Sequence, residues 1–325
     1  MRRREFIALL AGAAAWPLLA RAQQAMPVIG YLSARSAESD VPMLNALRHG
    51  LNETGYVVGK NVVIEFRWAD GQYDRLPGLA EDLVRRQVAV IVAAGGEHVA
   101  LVAKTATASI PIVIAGGEDP VRFGLVASLN RPGGNITGVT GLIGELGSKQ
   151  LGLLRELVPK ADVIAMLVNP NDTWSASQTR DTQSAAHAVG QHLVVVEAST
   201  EHDIDAAFAI LVEQRTAALL VIASPLFVTK AEHLIELSAR HVLPTIYFRR
   251  ELTAAGGLMS YGPNTAEGYG QIGVYAGKIL NGTKPSDLPV QQASKFELVI
   301  NLKTAKALGI EVPPALLARA DEVIE

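Results

Sequence analysis

Short apolar runs rich in β-branched residues alternate along the chain with longer segments whose apolar positions recur at helical spacing. Residues 27–32, 62–66, 88–93, 110–115 and 135–140 read as strands. Between them, 41–53 carries Leu44, Leu47 and Leu51 on one face of a helix, and 76–86 and 99–108 follow the same period. Strand, helix, strand in this order predicts βαβ units around a parallel sheet buried on both faces. Pro132-Gly133-Gly134-Asn135 and the glycine-rich stretch 138–147 break the rhythm, and the alternation then restarts. Helices are expected at 146–157, 176–189, 204–214, 230–240 and 265–280. Strands are expected at 163–169, 193–197, 218–223, 245–248 and 258–261. A turn-rich connector at 281–289 leads to a strand at 296–301 and a short helix at 303–308 closed by Gly309. Two βα series with a crossover and a tail that recrosses outline a two-lobed α/β protein with a cleft.

Length supports that outline, since about 300 residues after residue 22 exceed one ordinary core and suit two domains. Hydrophobic residues make up 49% of the chain but aromatics only 5%, so the cores must be built from Ala, Val, Ile and Leu. The net charge is -3 with no basic stripe, which argues against nucleic acid as a partner. There is no cysteine, which removes disulfides, thiolate nucleophiles and a lipid-bearing anchor together.

Residues 1–22 read as an export signal. Arg2, Arg3 and Arg4 precede an apolar run of about 14 residues, and Ala20-Arg21-Ala22 offers a small-x-small cleavage site, so the mature chain is expected to begin near Gln23. The run is shorter than the ~20 residues of a spanning helix. Arg3-Arg4-Glu5-Phe6-Ile7 resembles a twin-arginine address, with Arg2 where that pattern prefers Ser or Thr, so an ordinary secretory route stays open. The expectation is a soluble, untethered periplasmic protein.

In open parallel sheets a ligand sits beyond the carboxyl ends of the strands, so the residues after each strand are the candidates. Ser33, Ala34, Arg35 and Ser36 follow the first strand. Two near copies, VIVAAGGE ending at Glu97 and IVIAGGE ending at Glu118, place Gly95, Gly96 and Glu97 after one strand and a second Gly-Gly-Glu, extended by Asp119-Pro120, after the next. In the second half come Asn169, then Ser224-Pro225, then Tyr247 with Arg249 and Arg250, either of which suits a carboxylate. Each of these is also an ordinary turn sequence; their recurrence at strand ends in both halves carries the functional reading. Motifs for zinc proteases, serine hydrolases and phosphate loops are missing, and the seven histidines show no ligand pair on one predicted helix, so neither a metal nor a cofactor is expected. Gly268-Tyr269-Gly270-Gln271-Ile272-Gly273 fits G-x-G-x-x-G, but Pro263-Asn264-Thr265 already starts a helix there, which puts the glycines inside it as a packing face.

The chain resembles the extracytoplasmic substrate-binding proteins of ABC importers, in the tryptophan/tyrosine-type branch with the type I periplasmic binding protein fold. The likeness is carried by Ile29-Gly30-Tyr31-Leu32, Gly55-Tyr56, Gly59-Lys60-Asn61-Val62, LNRPGGNITG at 129–138, GGLMSYGP at 256–263 and FELVINLKTAKALG at 296–309. It implies two Rossmann-like lobes with parallel sheets, joined by crossing hinge strands: 26–141 plus 262–285, and 142–261 plus 286–325. Hinges are implied near 140–143, 260–262 and 288–294. The cleft would be lined by Ser33, Gly95 and Asp119 from the first lobe and by Asn169, Ser224 and Tyr247 from the second, with Tyr261 reaching in from a hinge. The implied function is capture of a small molecule, an amino acid, an aromatic or a related metabolite, by a monomer that docks to a membrane permease. Two alternatives use the same fold: a sensory module for a receptor kinase, and a secreted enzyme with Asp119 and Glu97 or Glu118 as an acid/base pair.

Overall fold

Two sheets organise the chain in the computed structural model, which describes residues 26–141, 146–172, 174–292 and 295–325. The export segment 1–22 lies outside the described residues, as do 142–143 and 293–294 of two expected hinges. The strands are β1 Val28–Ser33, β2 Val63–Trp68, β3 Val90–Ala94, β4 Ile112–Gly116, β5 Ile136–Thr140, β6 Val163–Val168, β7 His192–Glu197, β8 Ala218–Val221, β9 Thr245–Tyr247, β10 Met259–Pro263, β11 Gln291–Gln292, β12 Phe296–Asn301 and β13 Glu322–Ile324. The first sheet runs β11-β5-β4-β3-β1-β2 and the second β13-β12-β10-β9-β8-β6-β7. Pairing is parallel throughout the first sheet, and in the second only β10 with β12 is antiparallel. Each sheet is therefore doubly wound, with its order reversing between β1 and β3 in one and between β6 and β8 in the other.

Strand parity divides each core in two. Along β1 and β3, Ile29, Tyr31, Val90 and Val92 face α1 (Val41–Glu53), while Leu32, Ile91 and Ala93 face α2 (Leu76–Arg85) and α3 (Glu97–Ala106). The second sheet repeats the device, with Ala165 and Leu167 turned to one face and Ile164, Met166 and Val168 to the other. The second face is covered by α4 (Leu146–Leu157) and α5 (Ser175–Ala188), and the first by α6 (Glu201–Glu213) and α8 (Ala231–Arg240). Each fully buried Leu or Ile contributes about 1.5–3 kcal/mol. Two five-residue helices, α7 (Pro225–Thr229) and α9 (Arg250–Ala254), are too short to leave a periodic signal in the sequence.

After β10 the chain starts α10 (Thr265–Leu280), capped by Asn264 accepting from the Glu267 N–H at 2.9 Å, and this helix packs on α1 of the first sheet. The contact explains the G-x-G-x-x-G stretch. A Cβ on Gly50 would meet the Gly270 carbonyl, and one on Gly273 would meet the Leu47 carbonyl, so the two backbones touch where the glycines lie. Gly273→Val is expected to cost about 3 kcal/mol, read as a lowered midpoint of thermal unfolding; an unchanged midpoint would refute the close approach. One expected boundary moves: residues 286–292, assigned from the sequence to the second lobe, end in β11, which pairs with β5 of the first sheet. A two-residue strand is too short to show its sheet by pattern. The chain thus passes between the sheets after Thr140, between β10 and α10, and between β11 and β12.

Candidate ligand-binding site

A cavity of about 140 Å³ lies between the sheets, beyond the carboxyl ends of their strands. An engineered cavity of about 150 Å³ holds one benzene ring, so this space suits one aromatic ring. Arg35 lines it from the end of β1, Gly95 and Gly96 from β3, and Ala115, Gly116 and Gly117 from β4, with Thr265 and Tyr269 contributed by α10. The facing wall consists of Trp174, Ala223, Ser224, Pro225, Val228, Phe248 and Arg249. Both switch points of strand order open into it, as open α/β sheets predict.

The duplicated Gly-Gly-Glu segments build the first wall together. The carboxylate of Glu97 is buried and its Oε1 accepts from the backbone N–H groups of Gly117 at 2.6 Å and Glu118 at 2.8 Å, so the first copy clasps the second. Burial pushes the Glu97 pKa up while those backbone donors pull it down. Gly96 has φ 103° and ψ -176°, a region reserved for glycine. A Cβ there would stand 2.5 Å from the indole of Trp174 on the opposite wall. That indole is fixed in turn, its Nε1 donating to the Ala223 carbonyl at 2.8 Å.

Two buried arginines flank the space. Arg35 donates to Asp40 through Nε and to the Tyr269 hydroxyl through Nη2 at 2.5 Å. Burial opposes its charge, but Asp40, Tyr269 and Tyr31 outweigh that and hold its pKa above the usual value. Arg249 is 6% exposed, and its charged neighbour is Glu251, 3.4 Å from Nε. Arg250 turns outward instead and grips Glu322 with two hydrogen bonds of 2.6 Å. The adjacent pair therefore divides, one arginine to the cavity and one to the surface.

The walls also meet through Tyr73, which donates to Asp172 Oδ1. Burial pushes the Asp172 pKa up to about 7 against hydrogen bonds from Tyr73 and Ser224 that favour its charge. Glu118 is also pushed up to about 7, by burial first and then by the charge of Glu97, with Arg122 pulling back and Asp181 and Asp119 adding to the rise. A folded carboxyl with a raised pKa binds its proton more tightly than the unfolded one, so stability is greatest below about pH 4 for these groups and is lost as pH rises to 7. The unfolding midpoint should fall across that window, and Asp172→Asn should flatten the fall; a fall of undiminished slope in the variant would exclude Asp172 as a source.

Of the residues expected from strand ends, Arg35, Gly95, Gly96, Gly116, Gly117, Ser224, Pro225 and Arg249 line the cavity. The others do not. Ser33 is fully buried and accepts from the Arg35 N–H at 3.1 Å, and Ala34 packs behind Gly95. Asp119 is exposed and caps its own turn by accepting from the Val121 N–H at 2.9 Å, and Pro120 is buried. Asn169 supports Ser224 through a 3.2 Å hydrogen bond. Tyr247 points into the second core, where its hydroxyl donates to Ser238 at 3.2 Å, because strand parity turns it away. Tyr261 stacks on Phe296 with centroids 6.0 Å apart. Trp174 and Tyr269 had no strand-end signal, since one starts α5 and the other lies inside α10; their rarity in a chain with 5% aromatics is the only sequence cue.

No helix among the described residues is long and apolar enough to cross a membrane. A solved Vibrio cholerae domain protein superposes with a TM-score of 0.84 at 26% identity, over 92% of this chain and 100% of its own. A Streptococcus pneumonia ABC domain in complex with L-Trp superposes with 0.82 at 25% identity, over 92% and 100%. The ligand-free, open structure of CD0873, a substrate-binding protein from Clostridium difficile, gives only 0.63 at the same identity, over 92% and 99%. That difference agrees with walls that touch at Gly96 and Trp174. A tyrosine-binding protein of Clostridioides difficile (strain R20291) is 28% identical over 278 residues, 83% of this chain and 78% of the relative. A sequence model for ABC transporter substrate binding proteins matches residues 35–324, and with this doubly wound pair of sheets around one cavity it shows that the chain belongs to the ABC transporter substrate-binding protein family.

Proposed function

We propose that this protein is the solute receptor of an ABC importer, capturing a small aromatic metabolite with a carboxylate group in the cavity between two lobes and presenting it to a membrane permease. The observation that carries the reading is the pairing of Trp174, Phe248 and Tyr269 with a buried, weakly compensated Arg249 in a ring-sized space. The tyrosine and L-Trp named for relatives make aromatic amino acids and their derivatives the compounds to test first. The lobes are 26–141 plus 262–292, and 142–261 plus 295–325, and they close by bending at the three crossings. An export signal at residues 1–22 delivers the chain to the periplasm, where it works as an untethered monomer without catalysis.

The test is calorimetric titration and thermal shift of the mature chain with aromatic amino acids and aromatic acids. One ligand per chain is expected, with no product formed and about 2.7 kcal/mol of stabilisation at 100 times the dissociation constant. Turnover of a bound compound, or no response to any ring-bearing acid, would sink the reading.

A further inference from the structure

We infer that the cavity prefers an aromatic carboxylate lacking an α-amino group, of the aryl-propionate or aryl-oxoacid class, over the zwitterionic amino acid. This rests on the reading of the cavity as the ligand site. Among the described residues, two arginines line it, Arg35 and Arg249, and no aspartate or glutamate does. Three helix N-termini open into the same space: Gly96 precedes α3, Trp174 precedes α5, and Thr265 begins α10. Their partial positive charge adds to that of the arginines and favours an anion.

An ammonium group finds no carboxylate on the cavity surface among the described residues. Of the carbonyl oxygens on the lining, Ala115 accepts from Gly96 N at 3.3 Å, Gly116 from Gly141 N at 2.9 Å and Ala223 from the Trp174 indole at 2.8 Å. Nearby carboxylates are set back from the lining: among the described residues Glu97 Oε2, Glu118 Oε1, Asp172 Oδ2 and Glu251 Oε2 have no hydrogen-bond partner, but all four are buried away from the cavity surface. Asp40 is fully buried against Arg35 and Trp68, and Glu97 holds the Gly117 and Glu118 backbone. Asp172 takes the Tyr73 hydroxyl, and Glu251 sits behind Arg249. Carboxyls whose titration reaches about pH 7 add only partial negative charge near neutrality. Burying a cation without a partner beside two arginines is strongly unfavourable, whereas a carboxylate has Arg249 to meet it with a planar pair of donors.

Three compounds that share a ring separate the terms: L-tryptophan, indole-3-propionate and tryptamine, with the matching series from L-tyrosine. Titrated calorimetrically into the mature chain, the propionates are expected to bind at least tenfold more tightly than the amino acids, and the amines not at all. Arg249→Gln should erase the propionate advantage. Amino acids binding as tightly as the propionates, or more so, would overturn this inference and leave the receptor reading standing. Failure of every acid and amino acid to bind would overturn both.

Discussion

Gly96→Ala is expected to lower ligand affinity by about 100-fold, equivalent to about 2.7 kcal/mol. The backbone term lowers folding stability, and the contact across the walls lowers affinity. The backbone at φ 103° and ψ -176° costs an L-residue about 1–3 kcal/mol. The new methyl group also stands 2.5 Å from the Trp174 indole, which cannot retreat while its Nε1 is bonded to Ala223. The clash exists only when the walls meet, so small-angle scattering should show a radius of gyration that no longer shrinks when ligand is added. The double variant Gly96→Ala with Trp174→Ala removes the clash and keeps the backbone strain, and compaction should return. If Gly96→Ala closes and binds like the parent, the glycine does not gate the approach of the walls.

Arg249→Gln is expected to weaken binding of a carboxylate ligand by about 2–4 kcal/mol, roughly 30- to 1000-fold. The guanidinium is buried, lines the cavity and has Glu251 at 3.4 Å as its ion-pair partner, so its donors are available to a ligand anion. Thermal stability without ligand should change little, because removing a buried cation relieves a desolvation cost as it removes that pair. Arg250→Gln is the matched control. It breaks only the exposed contact to Glu322, worth about 1 kcal/mol or less, and should leave affinity within a factor of two. A larger binding defect in the Arg250 variant than in the Arg249 variant would reverse the assignment.

The chain order of helices and strands was legible because both sheets are buried on two faces, which makes strands read as unbroken apolar runs. Helices 41–53, 146–157 and 265–280 and strand 296–301 have the ends expected from the sequence. Pro42 and Asn264 mark two of those starts. Parts of the cavity were legible by topology alone: Gly95, Gly96, Ser224, Pro225 and Arg249 follow parallel strands and line it. What failed was side-chain direction. Tyr247 lies two positions before Arg249, yet it turns into the core while Arg249 turns to the cavity, and Phe248 between them belongs to both. Asp119 failed for another reason, since its carboxylate is used by its own turn.

By itself, the sequence determined that this protein is two βα series with glycine-marked strand ends, because hydrophobic period and glycine placement are local properties of the chain. The tertiary structure decided which side chains share the cavity. Trp174, Arg35 and Tyr269 lie far apart in sequence and converge only when α10 returns to the first sheet and the walls close. It also decided which member of the pair Arg249 and Arg250 is buried, because that depends on where Glu322 is brought by β13, 72 residues further along the chain.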